Sequence, residues 1–404
     1  MKVLPTREAL HLGIVGPSSP RHFERFVRPD GEELPSGMGG TPVNHLLKAV
    51  LDLGHRATLV TLDPSVPPGS HRTFRGEQLT ICVGPYRRQH RARDVFRVER
   101  AAVRRMLREE HPDAVSAHWS YEFALGSIES SIPTMVTVHD VPRRIFRLQP
   151  TPYRLIRWWM HRQALRGARA VAVNSPYTAA SVGHVRTRNA IVLPNSLPEE
   201  LWRVSDRVSP NRDAPWYVSV NHGFSVWKNV NTLLKAFSLV RQTARCARLT
   251  LVGLGYQEGG PAQQWARRHG LDHGVEFSGP QPYAGVLDII RSADVLVHPS
   301  LEESFGYTLL EANAVGTPTI GGQASGAVPW VLDGGNAGVL VDVRSPNALA
   351  HAMRHLVSDT EFWRRLRKTA HTTSKKRFSA LNVAKRYVAC LLQLVSGDHP
   401  VSTT

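Results

Sequence analysis

The segment from residue 299 to 318, PSLEESFGYTLLEANAVGTP, places two carboxylates in a setting that could bind a ligand. Glu303 and Glu311 have seven residues between them, and Gly306 lies in that interval. The pattern predicts that a strand ends before Glu303, a glycine-bearing loop follows, and a helix carries Glu311 until Gly316 ends it. Open α/β sheets bind ligands at the carboxyl ends of their strands, where the start of a helix offers N–H groups to an anion.

The chemistry of these two side chains suits a sugar that is linked to a nucleotide. A carboxylate can accept paired hydrogen bonds from neighbouring hydroxyls, such as those of ribose or a hexose. The spacing alone is weak evidence, because Glu24 and Glu32 have the same spacing without a strand, loop and helix around them. Two solvated acids beside a turn are the alternative interpretation of Glu303 and Glu311.

A second loop, residues 221 to 227, occupies an equivalent position and leads into Lys228 and a predicted helix from Val230. A lysine at this place can reach a diphosphate. Its charge would stabilise the negative leaving group while the bond between sugar and phosphate breaks. The alternative is a solvated lysine at the start of a helix, and the coincidence with the Glu303 loop favours the functional interpretation.

The elements around these loops alternate between strands and helices, which predicts an α/β fold with two doubly wound, mostly parallel, Rossmann-like sheets. In the first helix, Thr41 and Pro42 suit the N-cap and first position, and Gly54 can end the helix. The predicted strands cover residues 11 to 15, 57 to 62, 114 to 117, 134 to 138, 170 to 173, 190 to 193, 216 to 220, 249 to 252, 275 to 278 and 295 to 297.

Charged and turn-forming residues cluster from 195 to 215, where the alternation pauses. We therefore predict one domain over residues 1 to 205 and a second over residues 206 to 375. A carboxyl-terminal segment, 376 to 404, carries a last helix near 382 to 395.

The ordered series of motifs resembles the retaining glycosyltransferases of the large glycogen-synthase-like family, the group 1 and family four type. This resemblance covers nearly the whole chain and implies the GT-B fold, in which the two domains face each other across a cleft. It also implies that the amino-terminal domain, residues 1 to 205, is acceptor-binding, and that the domain over 206 to 375 is nucleotide-sugar-binding. The last helix would cross back to the first domain. The matching residues are Gly39 and Gly40, Gly54 and His55, Val138 to Asp140, Lys228 and Asn229, Val252 to Gly255, Phe277 to Gly279, and the 299 to 318 segment.

The resemblance implies a role for each site residue. Glu311 would bind the ribose hydroxyls, Glu303 the transferred sugar, and Lys228 the diphosphate. His139 would contact the donor sugar near the reacting carbon, although a single histidine is more often structural. The implied catalytic residues are His139, Lys228 and Glu303, and the implied donor-binding residues are Gly39, Gly40, Asn221, His222, Lys228, Glu303, Ser304, Phe305, Gly306 and Glu311.

Three positions depart from the family pattern. Gly223 stands where an arginine commonly completes the diphosphate clamp, and we predict that His222 or Asn221 partly replaces it as a donor. Ser196 and Trp330 stand where glycine and glutamate are common. The chain contains no Asp-x-Asp, so the sequence predicts no metal site and no cofactor, and Lys228 with nearby donors would neutralise the diphosphate. The resemblance implies a front-side displacement.

The chain of 404 residues has a formal net charge of +17, which leaves phosphorylated substrates, anionic membranes and nucleic acids open as partners. No nucleic-acid-binding motif is present, so nucleic acid is not expected. In a helix from 153 to 169, Leu155, Trp158, Trp159 and Leu165 would form one apolar face with arginines at its edges. That arrangement suits an anionic bilayer, and a core-facing stripe with a solvated basic face is the alternative.

Three cysteines without paired spacing and an amino terminus unlike a signal peptide favour a cytoplasmic protein, with peripheral attachment to the membrane as a further expectation. The expected activity is that of a hexosyltransferase, which moves a sugar from a nucleotide-diphosphate sugar to a glycan or lipid-linked acceptor. Surface polysaccharide or glycolipid synthesis is the expected context. The alternatives are an epimerase or phosphorylase of the same fold, and a non-catalytic, membrane-associated family member.

Overall fold

A computed structural model describes residues 10 to 28, 32 to 183, 190 to 206, 208 to 398 and 400. The chain forms two compact units, the first comprising residues 1 to 198 with 380 to 404, and the second residues 199 to 379. The sequence-based divisions, after 205 and after 375, lie a few residues away. Ser205 already belongs to the second unit because its N–H donates to the Val315 carbonyl at 3.3 Å. Arg377 stays there too, because its guanidinium donates to the Trp330 carbonyl at 2.8 Å.

Within its described residues, the first unit contains an eight-stranded sheet in the order β3-β4-β2-β1-β5-β6-β7-β8. Every neighbouring pair is parallel except β3 with β4. The central strands are apolar and buried along their length, as expected where helices cover both faces. The strands are β1 (His11–Val15), β2 (Arg56–Asp63), β3 (Arg72–Arg75), β4 (Leu79–Pro85), β5 (Ala114–His118), β6 (Thr134–Val138), β7 (Ala170–Val173) and β8 (Ile191–Val192).

Helices connect these strands. They are α1 (Thr41–Asp52), α2 (Arg97–Glu110), α3 (Glu122–Glu129), α4 (Pro142–Leu148), α5 (Pro152–Gly167) and α6 (Pro176–Val182). The predicted cap of α1 is wrong by one residue: Gly40, in the left-handed region at φ 96°, is the N-cap, and Thr41 is already helical. Gly54 follows the helix at φ 85°, as its position predicted.

The predicted apolar face of the helix from 153 to 169 is wrong. Leu165 of α5 is buried in the core, whereas Leu155 and Trp159 are about half exposed, at 49% and 47%. Arg157, which a solvated basic face would expose, is buried against Glu122 at 2.7 Å. The side of α5 that packs inward therefore centres on Arg157 and Leu165, and Leu155 and Trp159 point the other way. No helix among the described residues is long and apolar enough to cross a bilayer.

In the part of the second unit that the structure describes, six parallel strands form a sheet in the order β11-β10-β9-β12-β13-β14. The strands are β9 (Trp216–Val220), β10 (Arg248–Val252), β11 (Val275–Gly279), β12 (Val295–His298), β13 (Thr319–Gly322) and β14 (Val339–Val341). The helices are α7 (Val230–Arg241), α8 (Pro261–Arg268), α9 (Tyr283–Ser292), α10 (Tyr307–Val315), α11 (Val328–Val331), α12 (Pro346–Ser358) and α13 (Thr360–Phe378).

The last helix, α14 (Ala380–Val395), is part of the first unit, although it follows the second in the chain. Its apolar face, which includes Tyr387 and Leu391, packs in one core cluster with Leu46 and Val50 of α1. The helix thus fills a place in the core of a unit whose other elements all precede residue 199.

Candidate active site

A cavity of about 530 Å³ opens in the second unit at the carboxyl ends of its strands. Strand β9 lies between β10 and β12, so the order of the strands reverses at β9. A crevice forms outside the carboxyl end of β9 at this point. The loops after β9, β10 and β12 all reach this crevice. The lining residues are Val220, Asn221, His222, Lys228, Val252, Gly253, Leu254, Pro280, Gln281, Val286, His298, Glu303, Gly306, Tyr307 and Thr308.

Lys228 and Glu303, predicted from separate loops, form an ion pair in this cavity. The Lys228 ammonium donates to Glu303 Oε1 at 2.6 Å, and the two side chains are only 18% and 16% exposed. Burial alone would raise the pKa of Glu303, but the charge of Lys228 and a hydrogen bond with His298 outweigh burial and hold that pKa well below its ordinary value. Glu303 is therefore a carboxylate at neutral pH.

His298, the last residue of β12, is a site residue that sequence reasoning missed. Its Nε2 lies 3.1 Å from Glu303 Oε1, the same oxygen that Lys228 contacts. The side chain is buried, and its Nδ1 has no hydrogen-bond partner. The signal that could have found it is its place at the carboxyl end of a predicted strand, directly before the Glu303 loop.

Asn229 holds the Lys228 loop against the loop after β12. It takes a left-handed conformation at φ 54° and begins α7. Its buried side-chain amide donates to the carbonyls of Pro299, at 3.1 Å, and Val343, at 2.8 Å. These two bonds fix the position from which Lys228 reaches Glu303.

Glycine is required where two of these loops meet. Gly253 follows β10 at φ 121°, and a Cβ there would lie 1.8 Å from the Asn221 carbonyl oxygen. Gly306, at φ 87°, is the N-cap of α10, whose first residues, Tyr307 and Thr308, line the cavity. The helix thus presents its positive amino-terminal end there.

The two candidates for the missing clamp donor differ. The Asn221 amide already donates to Ser219 Oγ at 2.9 Å, and its carbonyl oxygen lies 3.4 Å from the Ser300 hydroxyl. His222 is exposed and lines the cavity, so of the two it is the better placed to meet a ligand. A Cβ on Gly223 would meet no atom within 4 Å, so there is space for a side chain at that position.

The Phe305 side chain does not line the cavity. The ring is buried, with centroids 6.2 Å from Trp330 and 5.6 Å from Phe378. Trp330, which replaces the acid common in the family, therefore belongs to an aromatic cluster behind the loop. Ser304, the preceding residue, is half-buried.

Glu311 lies on α10 and is buried, and the cavity lining includes Tyr307 and Thr308 rather than Glu311 itself. Burial raises the pKa of the Glu311 carboxyl to about 8, against the smaller opposing effect of a hydrogen bond with Tyr283. Tyr283 is partly exposed at the start of α9. It thus forms a hydrogen bond with the carboxyl that the resemblance assigns to ribose.

Gly39 and Gly40 belong to the first unit, where they precede α1. A Cβ on Gly40 would lie 1.9 Å from the Pro17 carbonyl oxygen, whereas one on Gly39 would meet no atom within 4 Å. The packing of the unit therefore requires glycine at position 40. Gly39, at φ 79°, is exposed, so its backbone is open to a ligand within this unit.

His139 follows β6 and pairs with a second histidine. Its Nε2 lies 2.9 Å from Nδ1 of His118, whose other nitrogen lies 3.2 Å from the Ser116 hydroxyl. Burial lowers the pKa of His139 to about 4, and a hydrogen bond with Asn195 opposes that shift. His139 is therefore neutral at pH 7, and it could serve a ligand through a hydrogen bond rather than through a charge.

The structure thus brings Asn221, His222, Lys228, Glu303 and Gly306 to one cavity of the second unit. Ser304, Phe305 and Glu311 lie in the same unit but are not among the residues that line the cavity, and Gly39, Gly40 and His139 lie in the first unit. Among the described residues there is no group of three or more His, Cys, Asp or Glu side chains arranged to hold a metal ion.

Two family models together match most of the chain. The model described as "Glycosyl transferases group 1" matches residues 204–373, and "Glycosyltransferase Family 4" matches residues 39–200. The chain therefore contains a family 4 glycosyltransferase domain followed by a group 1 glycosyltransferase domain. Its fold is GT-B, with two Rossmann-like α/β domains, as the resemblance of its motifs predicted.

Curated relatives match this glycosyltransferase over part of their length. A D-inositol 3-phosphate glycosyltransferase of Corynebacterium jeikeium is 38% identical over 109 residues, which are 27% of this chain and 26% of the relative. Sucrose-phosphate synthase of Zea mays is 30% identical over 190 residues, 43% of this chain and 18% of that protein. The chain thus spans about a quarter or less of these relatives.

Solved structures match the glycosyltransferase over nearly its whole length. Sucrose-phosphate synthase from Thermosynechococcus elongatus superposes with a TM-score of 0.76 at 19% identity, covering 96% of this chain and 100% of that one. Anabaena HepE in complex with UDP-glucose has a TM-score of 0.68 at 18% identity, covering 95% and 100%. At these identities the likeness concerns the fold.

Proposed function

We propose that this protein transfers a hexose from a nucleotide-diphosphate sugar to an acceptor hydroxyl, with retained anomeric configuration and without a metal. The observation that carries the proposal is the Lys228 and Glu303 pair, 2.6 Å apart, in a cavity at the sheet's switch point. A cation and the start of α10 favour a diphosphate, while a carboxylate beside them suits sugar hydroxyls. A structural relative, HepE, is described as a complex with UDP-glucose, which supports such a donor.

In the proposed reaction, the bond between the anomeric carbon and the diphosphate oxygen breaks as the acceptor oxygen attacks from the same face. The acceptor's proton passes to the departing diphosphate, so no protein base is needed. Lys228 stabilises the charge that develops on that leaving group, and Glu303 orients the sugar. Glu311 would bind ribose, the Gly39 and Gly40 backbone would approach the diphosphate, and His139 would hydrogen-bond the sugar as a neutral imidazole.

The proposed acceptor is a glycan or a lipid-linked sugar, used at the cytoplasmic face of a membrane in surface polysaccharide or glycolipid synthesis. Leu148, Leu155 and Trp159 are each about half exposed on the packed pair of helices α4 and α5. Arg147 and Arg154 lie on the same two helices. Apolar side chains beside guanidinium groups suit an anionic lipid surface.

A small phosphorylated acceptor is the second candidate, and one cavity favours it. In the first unit, Arg143, Arg162, Trp158 and His161 line a space of about 290 Å³. Two guanidinium groups beside an aromatic ring suit a phosphate on a small polyol. Relatives named for D-inositol 3-phosphate and sucrose-phosphate support this class.

The test is turnover of a panel of nucleotide sugars with both acceptor classes, using the Lys228→Ala and Glu303→Ala variants as controls. We expect one donor to be consumed, and loss of about a hundredfold or more in kcat/KM in each variant. NMR of the product checks retention of the anomeric configuration. Product formed without any acceptor would instead indicate an epimerase. A requirement for inorganic phosphate would indicate a phosphorylase.

Absence of turnover of every donor, including slow hydrolysis, would favour a non-catalytic member of the family. Membrane attachment is measured separately, by sedimentation with neutral and anionic vesicles. We expect the protein to bind the anionic vesicles alone and to dissociate in high salt. Equal sedimentation with both kinds of vesicle would refute that part of the proposal.

A further inference from the structure

One oxygen of Glu303 receives two hydrogen bonds from groups of different mobility. Lys228 Nζ lies 2.6 Å and His298 Nε2 3.1 Å from Glu303 Oε1. The lysine is attached by a flexible four-carbon stem and is 18% exposed in the cavity wall. The histidine is fixed at the end of a central strand, and its side chain is only 4% exposed.

The proposed donor places two demands on the same cation. Among the described residues that line the cavity, Lys228 is the one permanent cation, since position 223 holds glycine. A diphosphate needs that charge, but in the unliganded protein the charge is paired with Glu303. If Lys228 turned away, a largely buried carboxylate would lose its cation, which is unfavourable unless another donor remains.

We propose that His298 is a positioning residue that retains Glu303 while Lys228 transfers its ammonium group to the diphosphate. This inference rests on the proposed function and adds the step that makes the single lysine available to the donor. With the proton on Nε2, His298 donates to Glu303 and carries a lone pair on Nδ1. That Nδ1 has no hydrogen-bond partner, so nothing competes with Glu303 for the ring.

The exchange has a clear geometric basis. Both donors already contact Oε1, so Glu303 need not move when the lysine leaves, and it stays in place for the transferred sugar. His298 compensates the carboxylate through a hydrogen bond to a charged group, which is among the stronger kinds of hydrogen bond. Lys228 then places a full positive charge beside the diphosphate instead of a neutralised pair.

The test measures ligand affinity by titration calorimetry in the full-length protein. The probes are UDP, GDP, ADP and dTDP, each paired with its own nucleoside, which has no diphosphate to attract Lys228. These probes lack the sugar, so changes at Glu303 act only through Lys228. The variants are His298→Leu, His298→Gln, which keeps an N–H donor, and His298→Leu combined with Glu303→Gln.

We expect His298→Leu to weaken binding of the nucleoside diphosphate about 10- to 100-fold and to leave binding of the nucleoside unchanged. The reason is that, without His298, Glu303 has no other donor when Lys228 leaves it. His298→Gln should stay within about fivefold of the wild type, since one donor remains. In the double variant no carboxylate holds the lysine, so diphosphate affinity should return to within about threefold of the wild type.

Three results would overturn the inference: wild-type affinity in His298→Leu, equal weakening of nucleoside and diphosphate, or a double variant as weak as the single one. A wild-type protein that bound none of the four diphosphates would refute the proposed donor itself. That outcome is distinct, because it is seen before any variant is made.

Discussion

Replacing Lys228 by methionine isolates the contribution of its ion pair to stability, because methionine has a similar length and no charge. Removing one partner of a buried pair typically costs about 3–5 kcal/mol, since the other charge remains unpaired. Here both side chains are slightly exposed, and His298 still donates to Glu303. We therefore expect a loss of about 2–3 kcal/mol at pH 7, or roughly 4–12 °C in Tm for a unit of this size.

The pH dependence of this loss carries the test. The folded-state pKa of Glu303 lies below its ordinary value of 4.5, so in the wild type the stabilisation is present above pH 4.5 and is lost as pH falls through the folded pKa. Without Lys228, burial raises the pKa of Glu303, so protonation relieves the unpaired charge. The difference in Tm between wild type and Lys228→Met should narrow as pH falls from 7 towards 4.

The matched control is Lys228→Met combined with Glu303→Gln, which removes both charges. We expect it to recover most of the lost stability at pH 7 while binding no nucleoside diphosphate more tightly than the single variant. Thermal unfolding at pH 7, 5.5 and 4 measures the effect. A difference in Tm that is constant with pH, or a double variant no more stable than the single one, would refute the reasoning.

Further replacements test other parts of the structure. Gly40→Ala should lower the free energy of unfolding by more than about 2 kcal/mol, because its Cβ would overlap a carbonyl oxygen. Gly39→Ala should lower it by about 1 kcal/mol, because only the left-handed backbone is unfavourable there. Equal losses in urea unfolding would contradict this. The pKa of Glu311 is raised to about 8, so this carboxyl lowers wild-type stability as the pH rises from 4.5 to 8. The Tm of Glu311→Gln relative to that of the wild type should therefore increase over the same range. A gain independent of pH would argue against it. Arg157→Leu should cost about 3–5 kcal/mol in urea unfolding by leaving the fully buried Glu122 unpaired, and an added Glu122→Leu should restore most of it.

The sequence predicted ten of the fourteen strands among the described residues, mostly those that read as short apolar runs between turn residues. Strand β3, an edge strand of sequence RTFR, was not predicted, since only its phenylalanine is buried and both arginines are at least partly exposed. Three further strands were missed. They are β4 (LTICVGP), although it is mostly buried, β13 (TIGG), whose two glycines are typical of a turn, and the short β14 (VLV). Hydrophobic pattern indicates burial, and an edge strand has little of it.

The site was predicted as far as each residue's own segment allowed. Lys228 and Glu303 follow strands, and parallel strands deliver their loops to one edge, so their meeting could be expected. The role of His298 could not, because it depends on contact with a side chain from a loop that folds back over it. The burial of Arg157 could not be predicted for a similar reason, since its partner Glu122 comes from another helix.

The placement of α14 affects the order in which the protein can assemble on the ribosome. Residues 380 to 395 fill part of the core of the first unit, yet they are translated only after the entire second unit. Until they emerge, the apolar side of α1 lacks its native cover, and a nascent chain with such a surface is open to misassociation. The first unit, whose synthesis begins before that of the second, can therefore be completed only after the second unit has been made, and we expect its need for chaperones to last until α14 has emerged.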